Sequence, residues 1–154
     1  MSKDEFWDRV TKINAGMLDA NDGARLVPMS HHAERESNTL WFITAQGTDV
    51  VDAVEGGPVE ASYIVADNGH GLHAHLKGAL ALSQDRAKLE ELWGTVTDAW
   101  FDGGIDDPDV RLLSFTLESG EVWATPTSGI AFIFNVAKAK LTGDQPDMGE
   151  HFML

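Results

Sequence analysis

No cysteine occurs among the 154 residues, which excludes disulfides, thiolate metal sites and a cysteine nucleophile. No apolar run approaches the roughly 20 residues that a membrane span needs, so no membrane partner is expected. The opening Met1-Ser2-Lys3-Asp4-Glu5 lacks the basic-then-apolar pattern of a secretory leader. A cytoplasmic location is the expectation from these absences. Positive charge is scarce as well: 11 Lys and Arg stand against 25 Asp and Glu, a net charge of −14. Such a surface repels phosphate backbones and anionic lipid, which argues against general nucleic-acid binding. It also means that an anionic ligand must find its cations locally.

What is present is an ordinary globular composition, 43% apolar and 23% charged, at the length of one domain able to bury about two-thirds of its unfolded surface. No repeat, low-complexity run or linker divides the chain, so a single domain over 1–154 is expected.

Ser2-Lys3-Asp4-Glu5 matches a capping box. Phe6, Val10 and Ile13 then share a helical face, which predicts a first helix over 3–14, stopped near Gly16. From Met17 the period becomes strand-like. Met17–Ala20, the turn signature Asn21-Asp22-Gly23 and Arg25–His32 read as a hairpin. Leu40–Thr44 is an aromatic and β-branched strand, Thr48 caps a short helix through Val54, and Val59–Ala66 resumes as a strand. Leu72, Ala74, Leu76, Gly78, Leu80 and Leu82 alternate with His73, His75, Lys77, Ala79, Ala81 and Ser83, the pattern of a half-buried strand. Asp85–Trp93 reads as a helix. A last hairpin is expected, Val110–Leu117 with Glu121–Ala124 around Glu118-Ser119-Gly120, followed by a helix over 129–141. Strands joined by such short turns are antiparallel, and about six of them on one core favour a closed or partly closed barrel. The fold class expected is α+β, an antiparallel barrel flanked by helices.

Several motifs are weighed against duller readings. His73 and His75 share a strand face, with His70 and the His31-His32 pair as candidate neighbours, but their spacing matches no known ligand set, so surface or groove histidines are expected rather than a metal site. The glycines at 56–57, 69 and 71 form no dinucleotide fingerprint. Ser114 and Ser128 form no nucleophile elbow. Trp41, Phe42, Trp100, Phe101 and Trp123 are a large share of flat surface for a chain of this length, and suit stacking on a planar ligand.

In order along the chain come Val27-Pro28-Met29, Leu40-Trp41-Phe42-Ile43-Thr44, Lys77-Gly78, Asp85–Trp93, Ala99-Trp100-Phe101-x-Gly-Gly and Glu121-x-Trp123. Together these resemble the general stress protein branch of the pyridoxamine 5'-phosphate oxidase-like, FMN-binding split-barrel superfamily, over residues 3 to 143. The resemblance implies a split barrel, a homodimer and two flavin sites (FMN, with FAD possible) at the subunit interface, with oxidoreductase activity or plain flavin binding as the function. It implies that Val27, Pro28 and Met29 run along the isoalloxazine edge. Ile43 and Thr44 at the strand end, and the helix opened by Thr48, would hold the phosphate. Trp123 would reach the ring from the other subunit, and Trp100 adds a further aromatic face.

The sequence departs from that pattern in two places. Val27 stands where the family usually has arginine, and Thr48-Asp49-Val50 replaces a Ser/Thr-x-Lys. The substitutes open to a phosphate are the Thr44 and Thr48 hydroxyls, the Gln46 amide, Arg25, Lys77 and the helix end behind Thr48.

Overall fold

The structure is a computed structural model and describes residues 2–20, 25–126, 129–143 and 149–154. The turn expected at Asn21-Asp22-Gly23 and the residue Ser128 lie outside the described residues, as does the Ser2 side chain of the capping box.

Among the described residues, eight strands form one antiparallel sheet. They are β1 (Gly16–Asp19), β2 (Val27–Met29), β3 (His31–Glu34), β4 (Thr39–Ala45), β5 (Val59–Asp67), β6 (Leu72–Ser83), β7 (Val110–Ala124) and β8 (Glu150–Met153). The helices are α1 (Ser2–Val10), α2 (Asp49–Val54), α3 (Arg86–Leu92), α4 (Thr95–Ala99) and α5 (Gly129–Thr142), with a 3-10 turn at Gly104–Asp106. No helix among the described residues is long and apolar enough to cross a membrane. The strand order is β2-β1-β5-β6-β7-β4-β3, and β8 pairs with β7. The two edge strands, β2 and β3, are separated in sequence by Ser30 alone, and they are not paired with each other. A sheet whose two edges are joined by one residue has curled back on itself, so the α+β split barrel is what forms.

The alternation in β6 does the sorting. Leu72, Ala74, Leu76 and Leu80 are buried inside, while His73, His75 and Lys77 face outward. The inner cluster takes Phe6, Trp7 and Val10 from α1 and Val50 and Val54 from α2. A second cluster sits on the outer face: Trp41 and Leu112 lie under Leu89, with Leu92, Trp93 and Ile105 around them. Thus α3 and the 3-10 turn roof the outer side of β4 and the start of β7. Asp85 caps α3 by accepting from Lys88 N at 3.0 Å.

Several sequence expectations need correction. The last hairpin does not exist: Val110–Ala124 is one strand of 15 residues. Glu118-Ser119-Gly120 marks a β-bulge instead. The ladder to β6 steps from Lys77↔Ser119 to Gly78↔Leu117, which leaves Glu118 unpaired in register. Bulges and turns draw on the same residue types, so composition alone confuses them. Gly78 is required at this point, since a Cβ there would lie 2.2 Å from Thr116 O. Eight strands stand where about six were expected. Arg25–His32 is two strands rather than one, with Arg25 and Leu26 outside both, and β8 was not anticipated. Helix α1 ends at Val10 rather than 14. There the Thr11 hydroxyl donates to Trp7 O at 2.6 Å, and Ile13 N bonds back only three residues to Val10 O at 3.2 Å. Strands β1 and β2 pair antiparallel as expected, with Gly16 opposite Met29.

Candidate functional site

The strand end where β4 runs into α2 collects most of the polar residues singled out in the sequence. Thr44 lies opposite Arg111 of β7. Gln46 is fixed at both its backbone and its side chain. Its N–H donates to Asp109 O at 2.8 Å, and its Oε1 accepts from Arg111 Nη2 at 2.5 Å. Thr48 is the N-cap of α2: its hydroxyl donates to Ala45 O at 3.0 Å and accepts from Val51 N at 3.4 Å. Arg25 comes in from the segment before β2 and pairs with Asp49 at 3.6 Å. This contact ties the approach to β2, with Val27, Pro28 and Met29, to the same end of the barrel. Ile43 alternates away from Thr44 and packs into the outer cluster.

The charges at this end are not those of an anion site. The first turn of α2 carries Asp49 and Asp52. Val50 is 2% exposed and sits in the barrel core, and Val27 packs against that core. Arg111, which the sequence reading missed, spends its other terminal nitrogen on Pro108 O and Val110 O at 2.7 and 2.8 Å. Only the register of two strands distant in sequence places it beside Thr44, so no local pattern could have revealed it. These residues fit a ligand tail that accepts and donates neutral hydrogen bonds. They do not fit a phosphate dianion.

The remaining predicted residues lie elsewhere on the chain. Lys77 is exposed in mid-β6, opposite Ser62 and Ser119. Trp123 is at the far end of β7 from Arg111, 41% exposed on the outer face. Its ring is stacked on His151 of β8, with centroids 5.0 Å apart and planes within 8°. His151 in turn is 2.8 Å from Glu121 Oε1. Trp100 follows α4 and is 80% exposed. Phe42 and Trp41, by contrast, are buried packing residues, and Phe101 packs on Trp93 at 5.7 Å. One chain therefore presents a polar strand end and a separate aromatic outer face.

His73 and His75 do share the outer face, across from Trp123 and Glu121. Among the described residues no group of three His, Asp or Glu is placed to hold a metal ion. A cleft of about 420 Å³ lies between the start of α3 and residues 110–112 of β7. Arg111 lines it, together with Asp85, Arg86 and Leu89 of the Asp85–Trp93 segment, but none of the flavin-contacting residues expected from the sequence does.

A buried polar network sits directly behind Met29, built on His31, which was expected at the surface or in a groove and is instead buried. His31 is 6% exposed. Its Nε2 lies 2.9 Å from Val10 O and its Nδ1 2.6 Å from the hydroxyl of Tyr63, the only tyrosine of the chain. That hydroxyl is also 2.9 Å from Met29 O. Burial pulls the His31 pKa below its usual value, outweighing the Val10 carbonyl that would raise it. A neutral ring must donate from Nε2, because a carbonyl only accepts. The Tyr63 proton then has two acceptors, His31 Nδ1 and Met29 O.

Comparison with known proteins bears on these elements. The chain matches the family model for pyridoxamine 5'-phosphate oxidase-like proteins over residues 1–147; β8, with His151, lies beyond that match. No curated protein sequence matches the chain. Among solved structures, a Jannaschia protein named after general stress protein 26 is 47% identical, with a TM-score of 0.94 over 99% of this chain and 97% of its own. A general stress FMN/FAD-binding protein from Xanthomonas citri is 26% identical, with a TM-score of 0.72 over 82% of this chain and 90% of its own. A Clostridium acetobutylicum protein related to general stress protein 26 shares the fold at 23% identity and a TM-score of 0.66, over 79% of this chain and 87% of its own.

Proposed function

Because the chain belongs to the general stress protein branch of the pyridoxamine 5'-phosphate oxidase-like family, we propose that it is a flavin-binding protein. It acts as a homodimer in the cytoplasm and holds each isoalloxazine ring in a groove between two copies. One observation carries this reading: the polar strand end at Thr44, Gln46 and Thr48 and the exposed Trp123 lie at opposite ends of β7. A single chain cannot put both on one ligand, whereas a two-fold pair brings each end of one copy to the other end of its partner. The outer face around Trp123 supports such pairing, since Met17, Ile64 and Met153 are also exposed on this side of the sheet. The Xanthomonas citri relative, an FMN/FAD-binding protein, supports a flavin as the ligand, and the charges around the tail subsite bear on which form.

When bound, a flavin supplies two-electron redox chemistry at its ring. The chain's own residues orient and desolvate it. Val27, Pro28 and Met29 offer an apolar edge, Trp123 and Trp100 a flat face, and Thr44, Gln46 and Thr48 polar groups for the tail. On this reading the protein is an oxidoreductase of a small electrophile, with His73 or His75 the nearest candidates for a proton donor beside Trp123. A binder or sensor without turnover is the second reading, favoured by the carboxylates of Asp49 and Asp52 beside the tail. Reduction of the bound flavin by NAD(P)H separates the two.

Complementation tests the shared site. A Thr44→Ala/Thr48→Ala variant and a Trp123→Ala variant should each lose flavin binding. Mixed after reversible dissociation, they should recover about a quarter of the wild-type sites, one per mixed dimer. Flavin bound stoichiometrically to a monomer would refute the interfacial site.

A further inference from the structure

Taking the flavin reading as its premise, we propose that the tail subsite is built for an uncharged polyol and selects a flavin lacking the terminal phosphate. A phosphate monoester carries about −1.5 to −2 charges at pH 7. It is held by cations or by several free donors, and each missing charge-assisted hydrogen bond lowers affinity roughly tenfold to a hundredfold. At this end of the barrel the balance runs the other way.

Asp49 and Asp52 project from the first turn of α2. Of the two cations nearby, Arg25 is already paired with Asp49. Arg111 is engaged by two backbone carbonyls and by the Gln46 amide oxygen. The side chain of Val50 fills barrel space, and that of Val27, on the edge strand and only partly buried, packs against it, so neither position supplies a cation in this chain. The Thr48 hydroxyl has committed its one proton to Ala45 O.

What is left for a ligand is of a different kind. With its oxygen held by Arg111, Gln46 keeps its amide NH2 to donate. Thr44 keeps a hydroxyl, and Asp49 and Asp52 can accept from O–H groups. Neutral donors beside carboxylates suit the hydroxyls of a sugar alcohol, which both donate and accept. The same carboxylates repel a phosphate, and the net charge of −14 adds to that repulsion over the whole surface.

Titration of the purified full-length protein with riboflavin and with FMN tests this, following quenching of flavin fluorescence at low ionic strength and pH 7.5. The expected result is riboflavin binding at least as tightly as FMN. Lowering the pH to 5.5 should improve FMN relative to riboflavin, because the phosphate then holds about one charge. Asp49→Asn, at an exposed position, should move the affinity ratio at least tenfold toward FMN, and Val27→Arg should move it the same way. A wild-type preference for FMN of tenfold or more overturns the proposal, whether the cation comes from Lys77 of a second copy or from elsewhere. An Asp49→Asn ratio equal to wild type also overturns it. Failure to bind either flavin overturns the flavin reading itself, and the proposal with it.

Discussion

Removing the Tyr63 hydroxyl tests the buried network that holds the Val27–Met29 strand. In Tyr63→Phe the ring stays in the core, packed edge-on against Phe42 at 5.1 Å and His31 at 5.4 Å, so the apolar contribution is nearly unchanged. What disappears is the single proton shared between His31 Nδ1 and Met29 O, at 2.6 and 2.9 Å. His31 is nearly out of reach of water at 6% exposure, so its bared nitrogen has no substitute donor. Leaving a buried polar atom unsatisfied costs about 1–3 kcal/mol. For a chain of this size that is a fall in Tm of about 2–12 °C, at roughly 2–4 °C per kcal/mol. The space around the hydroxyl does not close easily, since Gly16 sits against it: a Cβ at Gly16 would lie 2.8 Å from Tyr63 Oη. Thermal melts followed by circular dichroism at pH 7.5 measure the effect, and far-ultraviolet spectra check that the fold is intact. A Tm within 1 °C of wild type, or above it, would refute the claim that this hydroxyl is needed where it is.

The same histidine makes stability depend on pH. Its folded pKa lies below 6.5 because burial disfavours the charged ring, and His32 is lowered for the same reason. The unfolded chain therefore binds protons first, and stability should fall as pH drops below about 6.5, above the range where carboxylates titrate. Urea midpoints at pH 7.5 and 5.5 should show that fall, and His31→Gln should reduce it; an unchanged pH slope in the variant would assign the effect elsewhere. At the β6–β7 bulge, Gly78→Ala would drive a methyl group against the Thr116 carbonyl. Overpacking against backbone costs about 1–3 kcal/mol or more, read as a lower urea midpoint; a neutral result would mean that the bulge can shift register.

How far the sequence could be read differs element by element. Where a strand keeps strict alternation, as from Leu72 to Leu80, inward and outward faces follow from period 2 alone, and the structure has them as expected, whereas Leu82, expected inward, is 36% exposed near the strand's end. Thr48 was legible as a helix cap because a cap depends on residues at most three positions away; Asp85, read as the first residue of its helix, is its cap instead. Glu118-Ser119-Gly120 was misread because the same three residues serve a turn or a bulge, and only the neighbouring strand decides between them. The C-terminal strand was missed because Glu150–Met153 carries no pattern of its own. It becomes a strand only because the far half of β7 offers a free edge there.

The candidate site divides in the same way. The residue types along Val27–Thr48 and at Trp123 are set out in the sequence, and with them the family and the split barrel. The scarcity of positive charge was equally plain, and it already posed the question of how a phosphate would be held. Tertiary structure alone decided that Arg111 stands beside Thr44 and gives three of its five N–H donors to Gln46 and two carbonyls. It alone decided that Val50 points into the core, that His31 is buried against Tyr63, and that His151 lies flat on Trp123. Each of these joins residues far apart in the chain, or fixes which face of an element is covered. Local propensity acts over a few residues and cannot carry that information; strand register and packing do.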